Sequence, residues 1–180
     1  LKDAHSQKDE YQLMRGLREE GNYSRGQTWI RACKWIDGLI CLYNGKEKTF
    51  EECKKEYYKC GSREYQKKYL QYISLVNVNK NGSDTIPSKD TAVAKIAYKY
   101  KDFIKRQIDL YNPDIVIIGN KGYLTNLYKD MYNCHDKIVE TKNDTDFYLH
   151  DNRIVISTQH PAVSKNETYN DILSVIKKLK

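Results

Sequence analysis

The decapeptide "RIVISTQHPA", residues 153–162, decides how this chain is read. Arg153 opens it, Ile154, Val155 and Ile156 form an apolar run, and Ser157, Thr158, Gln159 and His160 follow before Pro161. A short β-branched run that stops at polar residues reads as a buried strand. Proline fixes its own φ, has no N–H to donate, and pushes the residue before it away from helical geometry. His160 is therefore expected in an extended turn at the carboxyl end of a strand.

Working outward, two more runs have the same character: "YISLVNV" at 72–78 and "DIVIIG" at 114–119. Between and around them lie segments of helical period. In "SKDTAVAKIAYKYKDFIKRQIDLY" (88–111), Val93, Ile96, Ala97, Tyr100, Ile104 and Ile108 share one face, from an N-cap-like Ser88 to a stop at "NP". "YLTNLYKDMY" (123–132) and "NETYNDILSVIKKLK" (166–180) read as further helices. "GQTWIRACKWIDGLICLY" (26–43) places Trp29, Ala32, Cys33, Ile36 and Ile40 on one side. Strands alternating with helices predict an α/β domain with a mainly parallel central sheet and right-handed crossovers. In such sheets ligands bind beyond the carboxyl ends of the strands. Asn77, Gly119–Asn120 and His160 are expected to converge there.

The 180 residues predict a single domain with a real core. No run approaches the roughly 18 apolar residues of a membrane span, and no charged-then-apolar leader opens the chain. The five cysteines (Cys33, Cys41, Cys53, Cys60 and Cys134) include no CxxC pair, so zinc-site spacing is absent. Their odd number points to free thiols and a reducing cytoplasm. A net charge of +7 and a pI of about 9.0 favour a polyanionic partner. "EECKKEYYKCGSREYQKKYLQY" (51–72) interleaves Lys and Tyr. It reads as a solvated helix with a tyrosine core stripe, or as a face that stacks and neutralises single-stranded nucleic acid.

Three short stretches in order, "LKDAHS" (1–6), "ISLVN" (73–77) and "STQHPA" (157–162), resemble the motifs of the uracil-DNA glycosylase superfamily. "FIKRQIDLYNPDIVIIGN" is similar to the family's stretch before its histidine loop. The resemblance implies a three-layer α/β/α glycosylase-like fold over 1–180, acting as a monomer on single- or double-stranded DNA without cofactor or metal. It implies that Asp3 activates water, Asn77 reads the Watson–Crick edge of a flipped base, and His160 stabilises charge on the departing base. Tyr23, or Gly26, falls where the family stacks the base. Lys80, Lys121, Ser164 and Lys165 fall beside strand-end motifs as DNA contacts, with Lys2 a further cation there.

"LKDAHS" lacks the glycine and proline of the usual first motif, and its acid calls for a strand upstream of Leu1. Ala162 stands where the family carries serine, with Ser164 two residues on. The chemistry matches the residue types: a carboxylate for an oxocarbenium-like sugar, a donor for the leaving base, and an amide offering both donor and acceptor. Blander roles remain open beside these. Asp3 suits an exposed acid, Asn77 a strand cap, and His160 a turn histidine satisfying a carbonyl; His5, His135 and His150 read as surface or structural. A catalytically silent glycosylase-like binder of nucleic acid or nucleotide is the competing function. A flavodoxin- or Rossmann-like cofactor binder is weaker, since "IIGNKG" after a strand is only a fragment of a glycine-rich phosphate loop.

Overall fold

The computed structural model describes residues 27–76, 78, 90–134, 139–143, 145–161 and 163–179. Within the span expected as one domain, the described residues form two compact units, divided between Ile73 and Ser74. Among them no helix is long and apolar enough to cross a membrane.

The first unit is a helical hairpin of α1 (Gln27–Tyr43) and α2 (Phe50–Leu70). Trp29, Ile36 and Ile40 of α1 pack against a core of Cys33, Tyr65, Tyr69 and Leu70, following the stripe expected from the sequence. Gly45, at φ +71°, makes the turn after α1, a conformation that glycine adopts at no steric cost. Helix α2 starts on a capping box: Thr49 accepts from the Glu52 N–H while the Glu52 carboxylate takes the Thr49 N–H at 2.7 Å. Gly61 (φ 81°, ψ 162°) kinks it midway. Tyr65 and Tyr69 are buried, whereas Tyr58 remains 71% exposed.

This hairpin encloses a charged network. Asp37, 1% exposed, accepts from Lys48 Nζ at 2.7 and 2.8 Å and from the Tyr65 hydroxyl at 2.7 Å. Lys48 also bonds Glu56, which in turn accepts from Lys68 at 2.7 Å and from the Tyr69 hydroxyl at 3.2 Å. Burial raises Glu56, but the ammonium groups of Lys48 and Lys68 outweigh it and hold its carboxyl at about 2. Burial, then the Asp37 charge, pushes the Cys33 thiol up to about 12.

The second unit is a mixed α/β fold. Its described elements are α3 (Asp90–Lys99), α4 (Lys101–Tyr111), β1 (Ile115–Ile118), α5 (Tyr123–Tyr132), β2 (Val139–Lys142), β3 (Thr145–His150), β4 (Arg153–Ser157) and α6 (Asn166–Leu179). The sheet order is β1-β4-β3-β2. β1 and β4 run parallel in the register Ile115↔Ile154 to Ile118↔Ser157. The other two pairs, β4 with β3 and β3 with β2, are antiparallel, which corrects the expectation of a mainly parallel sheet. The cause is connection length. Only Asp151 and Asn152 separate His150 from its partner Arg153, and so short a link permits only a hairpin. Asp151 takes φ +52° to make the turn.

Two further expectations are corrected. Ile73–Val76 carries no strand pairing; Val76 and Val78 instead pack, partly buried, against the core of this unit. The helix expected over 88–111 is two helices, broken at Tyr100 (φ −109°, ψ 20°). Its N–H is shared between the Ile96 and Ala97 carbonyls, each at 3.2 Å. The break lets both halves face one core, where Ala97, Ile104 and Ile108 meet Leu127, Tyr128, Tyr148 and Val155. Asn112 and Asn133, both left-handed, end α4 and α5. Val155 and Ile156, neighbours on opposite faces of β4, are both fully buried, so the sheet is covered on both sides.

Candidate functional site at the carboxyl edge of the sheet

The parallel pair β1/β4 brings two strand ends together. The Thr158 N–H donates to the Ile118 carbonyl at 3.0 Å, carrying the pairing one residue beyond Ser157. Gly119 and the His160–Pro161 turn then meet. A Cβ on Gly119 would stand 3.2 Å from Pro161 Cδ and 3.7 Å from His160 Cα. Glycine there permits the close approach of one turn to the other. The His160 carbonyl accepts from the N–H groups of Val163 (2.9 Å) and Ser164 (3.0 Å), so the turn is closed by its own backbone while the imidazole lies on the surface.

Hydroxyl pairs support the edge from beneath. Thr125 of α5 and Ser157 of β4 share a buried hydrogen bond of 2.5 Å, and Thr145 and Thr158 share one of 3.3 Å. Above them the Lys121 ammonium lies 3.3 Å from Asp146 at the start of β3. The edge thus carries His160, the Lys121–Asp146 pair and two buried hydroxyl pairs. It can offer an N–H to a developing anion and a positive charge to phosphate.

The expected residues are placed unevenly. His160 and Lys121 are on this edge, and Lys165 is exposed just beyond the turn. Ser164 is 2% exposed, and its hydroxyl donates to the Pro161 carbonyl at 3.2 Å. It lies under the turn and braces it. Asp3, Tyr23, Asn77 and Lys80, with Lys2, Gly26, His5, Ala162 and His135, lie outside the described residues. Asp146, Thr125 and Thr145 were not singled out from the sequence. Asp146 is brought to the edge by its pairing with Ser157, and no motif marks it.

A second concavity, of about 450 Å³, lies at the opposite edge and includes Lys105, Asp109, Tyr132, His150 and Arg153. Its side chains engage one another. Tyr132 donates to Asp109 at 2.7 Å, with Lys105 and Arg153 over its ring at 4.7 and 5.5 Å. Burial and the bond to Asp109 raise the Tyr132 phenol. His150 stacks 4.8 Å from Tyr132, a structural placement. Among the described residues no group of three or more His, Cys, Asp or Glu is arranged to hold a metal ion. All five cysteines are free. Compared with protein-family models, curated proteins and solved structures, the chain shows no match.

Proposed function

We propose that the chain is a DNA glycosylase-like hydrolase, with a three-layer α/β/α domain that cleaves the N-glycosidic bond of a flipped uracil or another damaged or modified base. The observation that carries this reading is the meeting of Gly119 with the His160–Pro161 turn at the ends of a parallel strand pair. That is where an α/β sheet presents its ligand, and where the motif order puts the base-facing histidine.

In this reading the nucleotide leaves the stack and its base enters the edge. Asn77 bonds the Watson–Crick edge, using both the donor and the acceptor of its amide, while Tyr23 stacks on the base. His160 donates to the base oxygen on which charge collects as the glycosidic bond lengthens. As the glycosidic bond breaks and the base departs as an anion, Asp3 takes a proton from a water whose hydroxyl adds to the oxocarbenium-like sugar. Lys80, Lys121 and Lys165 sit against phosphates, and Ser164 braces the turn. The enzyme acts as a monomer in the cytoplasm, a compartment that keeps thiols reduced.

Base release from oligonucleotides carrying uracil, hypoxanthine or alkylated purines tests the proposal. His160→Ala should lower turnover by about 10²-fold or more while weakening DNA binding far less. A wild-type chain that releases none of these bases overturns the enzymatic reading. The second reading, a silent binder of nucleic acid, is favoured by the missing glycine and proline of "LKDAHS". It predicts retained DNA affinity with no base released.

A further inference from the structure

The helical hairpin carries a face on which cations crowd around aromatic rings. Lys34 Nζ of α1 lies 5.0 Å from the centre of the Phe50 ring and 5.1 Å from that of Tyr57. Tyr57 in turn meets Tyr58 edge-on at 5.3 Å. Burial lowers the Lys34 ammonium, and the like charges of Arg31 and Lys54 lower it further. Glu51 pulls the other way, but it is also 3.3 Å from Lys54 and so is shared between the two. Elsewhere in the hairpin Asp37 and Glu56 are held by Lys48 and Lys68, and Glu52 by the cap of α2. From Gln27 to Ile73 ten Lys and Arg stand against six Asp and Glu. Arg31 and Lys54 both lie near enough to Lys34 to disfavour its charge, and an anion brought to this face favours it.

We propose that this face, comprising Arg31, Lys34, Lys54, Tyr57 and Tyr58, binds single-stranded nucleic acid. The proposal goes beyond the glycosylase reading and does not rest on it. The cations track the phosphates, and the exposed Tyr58 ring takes a base. Stacking on a side chain requires an unpaired base, which selects the single strand over the duplex. A lipid surface fits less well. The exposed large hydrophobic residues of the described hairpin are Tyr43, Tyr58 and Tyr72, with no leucine or phenylalanine to enter an acyl layer.

The test uses the full chain and a labelled single-stranded oligodeoxythymidine, titrated over a range of salt concentrations. Wild type should bind with a steep salt dependence. Lys34→Gln combined with Lys54→Gln should reduce the log–log slope by up to about 1.4, at roughly 0.7 for each phosphate that is no longer neutralised. Tyr58→Ala, at an exposed position that folding does not need, should weaken binding by about tenfold. Lys34→Arg should keep wild-type affinity. Circular dichroism checks that each variant is folded. The proposal is overturned if wild type does not bind, or if the double and Tyr58→Ala variants bind like wild type. It is also overturned if phosphatidylserine vesicles bind as tightly and respond to the same substitutions. Base release reports separately on the sheet edge: a chain that releases no base yet binds through this face loses the glycosylase reading and keeps this one.

Discussion

Lys48→Met should destabilise the helical hairpin by about 3 kcal/mol, because it strands a carboxylate that has almost no access to water. Asp37 is 1% exposed and accepts two bonds from Lys48, at 2.7 and 2.8 Å. Without the ammonium, the Tyr65 hydroxyl at 2.7 Å, the neighbouring Tyr69 hydroxyl and the long contact from Cys41 Sγ at 3.8 Å remain. Removing one partner of a buried pair costs about 3–5 kcal/mol, since the other charge is left uncompensated. The lower end applies here, because the Tyr65 bond survives and Lys48 is 15% exposed, so water can enter as it leaves. Glu56 loses a partner as well but keeps Lys68.

The assay is urea unfolding followed by tryptophan fluorescence. Both tryptophans, Trp29 and Trp35, lie in α1, so the signal reports this hairpin. With a urea slope of about 1–2 kcal/mol per molar, the midpoint should fall by about 2 M. Asp37→Asn combined with Lys48→Met should recover part of the loss, because neither partner is then a buried ion. A loss below about 1 kcal/mol for Lys48→Met, or strict additivity in the double variant, would refute the reasoning.

Three further outcomes are expected. The Glu56 carboxyl is held at about 2 in the folded state against an ordinary 4.5, so its stabilisation is complete above pH 4.5 and is lost as pH falls towards 2. Discounted for its partial exposure to solvent, this is about 1–2 kcal/mol, and Glu56→Gln should flatten that acid limb in a fluorescence titration. Gly119→Ala puts a Cβ 3.2 Å from Pro161 and should displace the His160–Pro161 turn. A stability loss of about 1 kcal/mol with a much larger drop in base release is the expected pattern, and unchanged activity would separate the turn from function. Iodoacetamide applied to the native protein should label exposed Cys60 ahead of buried Cys33, Cys53 and Cys134, as read by peptide mass spectrometry. Early labelling of Cys33 would contradict its burial.

Local chemistry determined most of the helices and two of the strands. The stripe of Trp29, Cys33, Ile36 and Ile40 marks α1, and the runs Ile115–Ile118 and Ile154–Ile156 mark the parallel strands. The polar cluster before Pro161 marks the turn that carries His160. Helix α5 ends where its sequence predicts, at Tyr132, because the asparagine that follows accepts a left-handed backbone. Each of these is set by residues within a few positions of one another.

Partnership was not legible in the same way. The run at 73–76 is apolar apart from Ser74, yet it pairs with none of the described strands. "TDFYLH" looks polar at its start and becomes a central strand. Strand pairing depends on which neighbour arrives, and a two-residue turn delivers β3 to β4 before any distant strand can compete. No local motif marks Asp37, which gains its role only when Lys48, eleven residues on, meets it inside the hairpin. Asp146 likewise reaches Lys121 only once β3 has paired with β4. A side-chain period records which face of an element is apolar, but not what that face or edge will meet. Contacts between separated segments therefore came from the tertiary structure alone.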